Sequence, residues 1–345
     1  MKAAVLVQQN APLEIVELEI PKLDVGQVLV KVDHSGICGK QIDEITGRQG
    51  EDQYIPHLLG HEGAGTIVDT GPGVSKVKVG DRAVLHWIKG VGIDSKPPRY
   101  RHNGQVLSAG WVTTFSDYTI ASENRVTPVA GEFATDVLAL LGCAVTTGLG
   151  IVFNNARLMP GQSIAVFGVG GIGLNVVQGA DLVNAYPIVA IDINDEKLET
   201  ARQFGATHVI NATKTDVDEA LRDLAAGEGF DAVIDTTGVN DVRVSAYQAT
   251  ANTGTTVFAG VPFAGDRMPF DSFPLHFGRR VIGSHGGETN PGVDIPRYLT
   301  LFQQGKLRLK EMITARYALD QINDAVATVQ SASTCGRCVI HMDHG

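Results

Sequence analysis

Six residues, Gly168-Val169-Gly170-Gly171-Ile172-Gly173, constrain the fold of this chain more than any others. They follow an apolar run, Ile164-Ala165-Val166-Phe167, and open into a helical stretch near Ile172–Val183. A strand that turns into a helix through G-x-G-x-x-G gathers free backbone N–H groups and the positive end of a helix dipole at one point. Gly168, Gly170 and Gly173 permit the tight turn, the close approach of a pyrophosphate and the packing of helix on strand, with Gly171 adding another position free of side chain. Asp192 stands 24 residues beyond Gly168, at the end of the next apolar run, where a carboxylate holds the two ribose hydroxyls of a dinucleotide. Ile193 and Asn194 follow it, with no arginine for a 2′-phosphate, so the expected cofactor is NAD.

The rhythm around this motif predicts the architecture. Downstream come Ile188–Ile191, His208–Ile210, Ala232–Ile234 and Thr256–Ala259 as strands, spaced by helices near Glu196–Phe204, Val217–Ala226 and Val242–Ala251. Buried apolar strands separated by helices mean a parallel sheet covered on both faces. Upstream, to about Ala144, short strands such as Val28–Val32, Gly65–Val68 and Arg82–Trp87 alternate with glycine and proline turns, a compact β-rich unit. Lys89–Gly110 is polar, contains Pro97-Pro98, and is expected to be a long surface loop. After about His285 the pattern gives helices at Ile295–Gln304 and Ile322–Gln330 and a last strand at Arg337–His341. The class is α/β.

Composition narrows the partners. The 28 basic and 38 acidic side chains leave a net charge of −10, which disfavours a nucleic-acid backbone or an anionic membrane. No stretch approaches the roughly 18 apolar residues of a membrane helix, and the N-terminus lacks a secretory core, so a cytoplasmic protein is expected. Four cysteines in 345 residues are no disulfide framework. Cys335 and Cys338 spell C-x-x-C, but Gly336–Ile340 reads as a strand that would hold their Cα atoms roughly 10 Å apart, beyond disulfide reach.

Cys38, His61 and Cys143 satisfy the count of a catalytic zinc site, which takes three protein ligands and keeps a fourth position for water or substrate. Their spacing alone does not join them. His57 and His61 have the i, i+4 spacing of helical zinc sites, but Pro56 and Gly60 oppose a helix there. The other histidines read as ordinary surface or core residues.

Together Gly36-Ile37-Cys38-Gly39, Gly60-His61-Glu62-Gly63, Gly80-Asp81-Arg82, Leu141-Gly142-Cys143 with Thr147, the Val166–Gly173 run and Phe204-Gly205-Ala206-Thr207 resemble the zinc-containing medium-chain dehydrogenases. The likeness runs over nearly the whole chain and is greatest to class I and class III alcohol dehydrogenases. It implies a GroES-like catalytic domain at 1–145, a Rossmann NAD domain at 146–285, and a return to the catalytic domain at 286–345. It further implies one zinc per chain on Cys38, His61 and Cys143, with Glu62 as an alternate ligand or a support behind the metal. Thr147 would pack near the nicotinamide, Lys197 would join the cofactor contacts, Arg337 would reach the pyrophosphate, and Trp87 would line the substrate pocket.

Departures from the family pattern are equally specific. Lys89–Gly110 holds no cysteine, so the second, structural zinc of many members is not expected. Gly39 replaces a basic residue, Gln41 stands where an aspartate backs the metal, and Lys40 and Asp43 occupy the places of a hydroxyl and a histidine that relay the proton. Lys40, Asp43 and Glu62 are therefore the candidate catalytic side chains. The implied reaction passes hydride between a small-molecule alcohol and NAD, the metal acting as a Lewis acid on the substrate oxygen. A polyol or sugar-derivative dehydrogenase is the alternative within the family, and a non-catalytic NAD-binding protein the alternative outside it. A homodimer or homotetramer is expected, with Arg280–Gly283 as an outer strand of the cofactor sheet.

Overall fold

Ile164–Phe167, Ile188–Asp192 and Phe230–Asp235 are buried along almost their whole length, as strands covered on both faces must be. The computed structural model describes residues 1–331 and 335–344, and in it these strands form the centre of a six-stranded parallel sheet. The order is His208–Asn211, Ile188–Asp192, Ile164–Phe167, Phe230–Asp235, Thr250–Phe258 and Arg280–Gly283, every neighbouring pair parallel. The chain builds outward from Ile164–Phe167 in one direction, then crosses over and builds in the other. That reversal opens a crevice at the carboxyl end of Ile164–Phe167, where Gly168 begins.

The connecting helices start where local chemistry tells them to. Asn194 caps Asp195–Gln203 by accepting from the Glu196 and Lys197 N–H groups at 2.8 and 3.3 Å, and Asp216 caps Val217–Leu224 through the Glu219 N–H at 3.1 Å. Residues 145–289 and 306–308 make up this unit. The edge strand Arg280–Gly283 lies where the sequence places it.

The other unit comprises residues 1–144, 290–305 and 309–345. Its main sheet runs Val126–Pro128, Arg82–His86, Glu62–Thr70, Gln27–Gly36, Arg337–His341 and Ile313–Ala318, with Tyr118–Ser122 also paired to Gln27–Gly36. Arg337–His341, from the far end of the chain, pairs antiparallel with Gln27–Gly36, so both chain ends share one sheet. Alternate residues Val28, Val30 and Val32 point into a core with Ile67, Leu85 and Ile340. Among the described residues, no helix is long and apolar enough to cross a membrane.

One expectation is corrected. Lys89–Gly110 is not loop throughout: Tyr100–His102 and Gln105–Leu107 form an antiparallel hairpin. Its two-residue turn, Asn103-Gly104, has positive φ at both positions (49° and 80°), the geometry that matches strand twist. Tyr100 and Leu107 fill a separate core with Val5, Leu58 and Ile120, and the Tyr100 hydroxyl accepts from the Ile120 N–H at 2.8 Å. Cys335 lies in a bend outside the final strand, and neither it nor Cys338 is in a disulfide.

Candidate active site

Cys38, His61 and Cys143 converge although they are far apart in the chain. Cys38 ends the turn that follows Gln27–Gly36 and sits at the N-cap of the Gly39–Thr46 helix. His61 precedes the neighbouring strand Glu62–Thr70. Cys143 is brought in by Gly142, where a Cβ would fall 2.3 Å from the Leu85 carbonyl oxygen and 2.8 Å from the Glu62 Cα. Only glycine allows that approach. The ligating atoms of the three residues lie within 4.8 Å of one another, the one such group among the described residues.

The donor chemistry fits a zinc ion. His61 Nε2 is buried and has no hydrogen-bond partner, while Nδ1 is hydrogen-bonded to the Gln41 amide. Metal binding through Nε2 needs the proton on Nδ1, and so needs the Gln41 amide turned so that its Oε1 accepts from Nδ1–H as well as from the Cys38 N–H. Gln41 is 1% exposed and also accepts from the Cys38 N–H at 2.9 Å, so one amide positions two of the three ligands. Beside Cys143 and His61, and under the field of Arg337, the Cys38 thiol is held well below its ordinary range. It is therefore ready to bind as thiolate.

Glu62 is fully buried and ion-paired with Arg337, itself 6% exposed. A carboxylate so deep needs a counter-charge, and Arg337 provides it. Arg337, expected at the pyrophosphate, is thus also the counter-charge of Glu62, and Glu62 is not one of the three clustered ligands. Lys40 Nζ lies 3.8 Å from Glu44, one helical turn on, with the side chain 37% exposed. Asp43 pairs with Arg48 at 3.4 Å, and burial pushes its carboxyl up. His57 stays out of the cluster and binds Asp52 at 2.7 Å.

A cavity of about 590 Å³ opens onto His61 and Gln41. Trp111 lines it, a residue that no sequence motif singles out. Trp87 packs beside His61, the two rings 6.4 Å apart.

His86, on the strand next to Glu62–Thr70, is 1% exposed and bonded to Thr127 Oγ1 at 2.9 Å and the Ile88 carbonyl at 2.7 Å. Burial pushes its pKa down to about 3 from 6.5. The unfolded chain takes up a proton near 6.5, so below that pH it binds one more proton than the fold. This contribution to stability is whole above pH 6.5 and is lost as pH falls through the window toward 3, at up to about 1.4 kcal/mol per pH unit. Urea unfolding at several pH values should show this slope in the parent and a shallower one in His86→Asn. Equal slopes would exclude His86 as a source of acid sensitivity.

In the other unit, the glycine turn has the form a dinucleotide requires. Gly168 has φ +82°, and a Cβ on Gly173 would fall 2.0 Å from the Gly168 carbonyl oxygen, so helix and strand close directly on each other. A Cβ on Gly170 would meet nothing within 4 Å, and Gly170 begins the Gly171–Leu182 helix without any side-chain cap. The first N–H groups of that helix are left open to an anion. Asp192 Oδ2 accepts from the Val169 N–H at 2.9 Å, and Oδ1 from Ile193 and Asn194 at 2.8 and 3.1 Å. Lys197 is half-buried in the first turn of Asp195–Gln203, and the Thr147 Oγ1 is buried without a partner.

A Cys-His-Cys centre on one unit and a doubly wound nucleotide fold in the other define a metal- and dinucleotide-dependent dehydrogenase. Residues 24–131 match the alcohol dehydrogenase GroES-like domain, and residues 171–304 match the zinc-binding dehydrogenase family. S-(hydroxymethyl)glutathione dehydrogenase of Escherichia coli is 35% identical, covering 94% of this chain and 95% of its own length. Among solved structures, an alcohol dehydrogenase zinc-binding domain protein from Burkholderia ambifaria has a TM-score of 0.92 at 29% identity, with 99% of each chain covered. Benzyl alcohol dehydrogenase of Acinetobacter calcoaceticus has a TM-score of 0.90 at 28% identity, again over 99% of each chain. The chain belongs to the zinc-dependent alcohol dehydrogenases of the medium-chain family, and it is an oxidoreductase that uses zinc and NAD.

Proposed function

We propose that this enzyme oxidises a small-molecule alcohol to its carbonyl compound at Cys38, His61 and Cys143, passing hydride to NAD held at Gly168–Gly173 and Asp192. The convergence of two thiols and an unpartnered imidazole nitrogen within 4.8 Å carries the reading. Both an S-hydroxymethyl conjugate and benzyl alcohol, the compounds in the relatives' names, present a primary alcohol. Bound zinc supplies a Lewis acid for the substrate oxygen, and bound NAD supplies the hydride acceptor. The chain's own residues do the rest. Gln41 fixes the His61 ring and the Cys38 backbone, and the Glu62–Arg337 pair adds a buried neutral support beside them. NAD reduction by a panel of primary and secondary alcohols tests the assignment; no NADH with any of them overturns it.

Lys40 is assigned to its surface pair with Glu44 rather than to the proton. Lys40→Ala should leave kcat and KM within about threefold of the parent, since an exposed i, i+4 pair contributes only a few tenths of a kcal/mol. A kcat loss near 10²-fold, restored at high pH, would return Lys40 to the reaction.

We place the enzyme in the cytoplasm, where its four cysteines, none in a disulfide, remain reduced. It acts as a homodimer built on the edge strand Arg280–Gly283, because Phe270, Phe273 and Phe277, 46 to 65% exposed, lie just before that open edge. Light scattering at micromolar concentration should give twice the chain mass; a monomer would rule the dimer out.

A further inference from the structure

The wall of the 590 Å³ cavity beside His61 bears on which alcohol enters. Asp43, Glu44, Glu51 and Asp52 all line it, and no lysine or arginine does. Arg48 and Lys40 partly offset Asp43 and Glu44 from outside the lining, at 3.4 and 3.8 Å, and Asp52 engages His57. Glu51 forms no ion pair among the described residues and is exposed. Burial pushes Glu44 up. The wall is thus rich in acceptors and poor in cationic donors.

A second observation points to a ligand. Thr113 lines the same cavity, is 2% exposed, and its Oγ1 has no hydrogen-bond partner. Buried hydroxyls without a partner are uncommon, and a substrate hydroxyl would satisfy this one. Trp111 and Tyr54 also line the cavity and are 45% and 65% exposed, and the Arg125 guanidinium lies 5.5 Å over the Trp111 ring. Carboxylate and amide oxygens that accept from hydroxyls, beside aromatic faces that cover C–H surface, suit a molecule with several hydroxyl groups. An anionic substituent would meet like charge, and the nearby cations, Arg48, Lys40 and Arg125, lie outside the lining and are engaged with Asp43, Glu44 and the Trp111 ring.

We infer that this cavity selects an uncharged polyhydroxylated alcohol, through Thr113 and the carboxylates at Asp43, Glu44, Glu51 and Asp52, and rejects anionic alcohols of similar size. The inference rests on the dehydrogenase reading above and names the substrate class for that site.

Steady-state kinetics of the zinc-loaded enzyme with NAD, using D-glucitol, D-glucitol 6-phosphate and hexanol, test it. The expected result is a kcat/KM for glucitol about tenfold or more above those for its phosphate and for hexanol. Glu51→Lys, an exposed position that leaves folding intact, should narrow the gap between glucitol and its phosphate about fivefold. Thr113→Val should lower the ratio of glucitol to hexanol by a similar factor, mainly through the KM for glucitol. Turnover of hexanol alone, or of the phosphate as readily as glucitol, overturns the inference and leaves the dehydrogenase intact. An unmoved glucitol-to-phosphate ratio in Glu51→Lys also counts against it. No NADH from any of the three overturns both readings together.

Discussion

Replacing Cys143 with alanine should strip the enzyme of zinc and lower kcat by about 10³-fold or more, the largest effect expected of any single change. The loss exceeds that of one ligand. Cys143 is the first of the influences that hold the Cys38 thiol low, ahead of His61 and Arg337. Without it, burial pushes Cys38 back up, and the second thiolate becomes a poorer donor at neutral pH. A weakened Cys38 and His61 are then left where three ligands lay within 4.8 Å. Metal analysis after dialysis should fall from about one zinc per chain to roughly a tenth or less. Far-UV circular dichroism should not change, because the substitution removes one buried sulfur and keeps the Gly142 approach. Full zinc occupancy with full activity would show that Cys143 is not a ligand. His61→Ala should act in the same direction, and Gln41→Ala more mildly, since it frees the ring without removing a donor.

How much of this was legible beforehand depends on how local each signal is. The strand–glycine–helix turn at Ile164–Gly173 and the alternating elements after it are written in neighbouring residues, and the six-stranded parallel sheet follows from them. The hairpin at Tyr100–Leu107 carried an equally local signal, Asn103-Gly104, masked by the charged residues and prolines around it. Residue type nominated Cys38, His61 and Cys143, but nothing in the spacing brought them together. That needed the pairing of Gln27–Gly36 with Glu62–Thr70 and the bare backbone at Gly142. Arg337 illustrates the limit. The resemblance assigns it to a phosphate and is silent on the fully buried Glu62 across the sheet, which requires its charge. Which buried groups must pair is a property of depth, and depth is not visible in a pattern. Thr113 and Trp111 were missed for the same reason: an unsatisfied hydroxyl becomes informative only once its surroundings are known.

Asp192→Gly should raise the KM for NAD by about 30-fold or more while lowering kcat much less, because two functions depend on that carboxylate. The first is the one proposed toward the cofactor: as the acceptor at the end of Ile188–Asp192, it would hold the ribose hydroxyls, and charge-assisted bonds of this kind contribute about 1.5–3 kcal/mol each. The second is internal. Asp192 Oδ2 accepts from Val169 within the glycine turn, and Oδ1 from Ile193 and Asn194, so the same side chain holds the cradle that faces the pyrophosphate. Removing it loosens the turn as well as the ribose contact. Asp192→Asn separates the two: one amide oxygen still accepts from the Oδ1 side, while the amide nitrogen faces the Val169 N–H as a donor against a donor. Its NAD affinity should fall between parent and glycine variant. The NAD-to-NADP preference should narrow in both variants, since the negative charge that repels a 2′-phosphate is gone. Initial rates with each dinucleotide, together with fluorescence titration of NADH binding, measure these effects directly. A KM for NAD unchanged in Asp192→Gly would mean that the ribose is held elsewhere and that the contacts from Asp192 to Val169, Ile193 and Asn194 are structural alone.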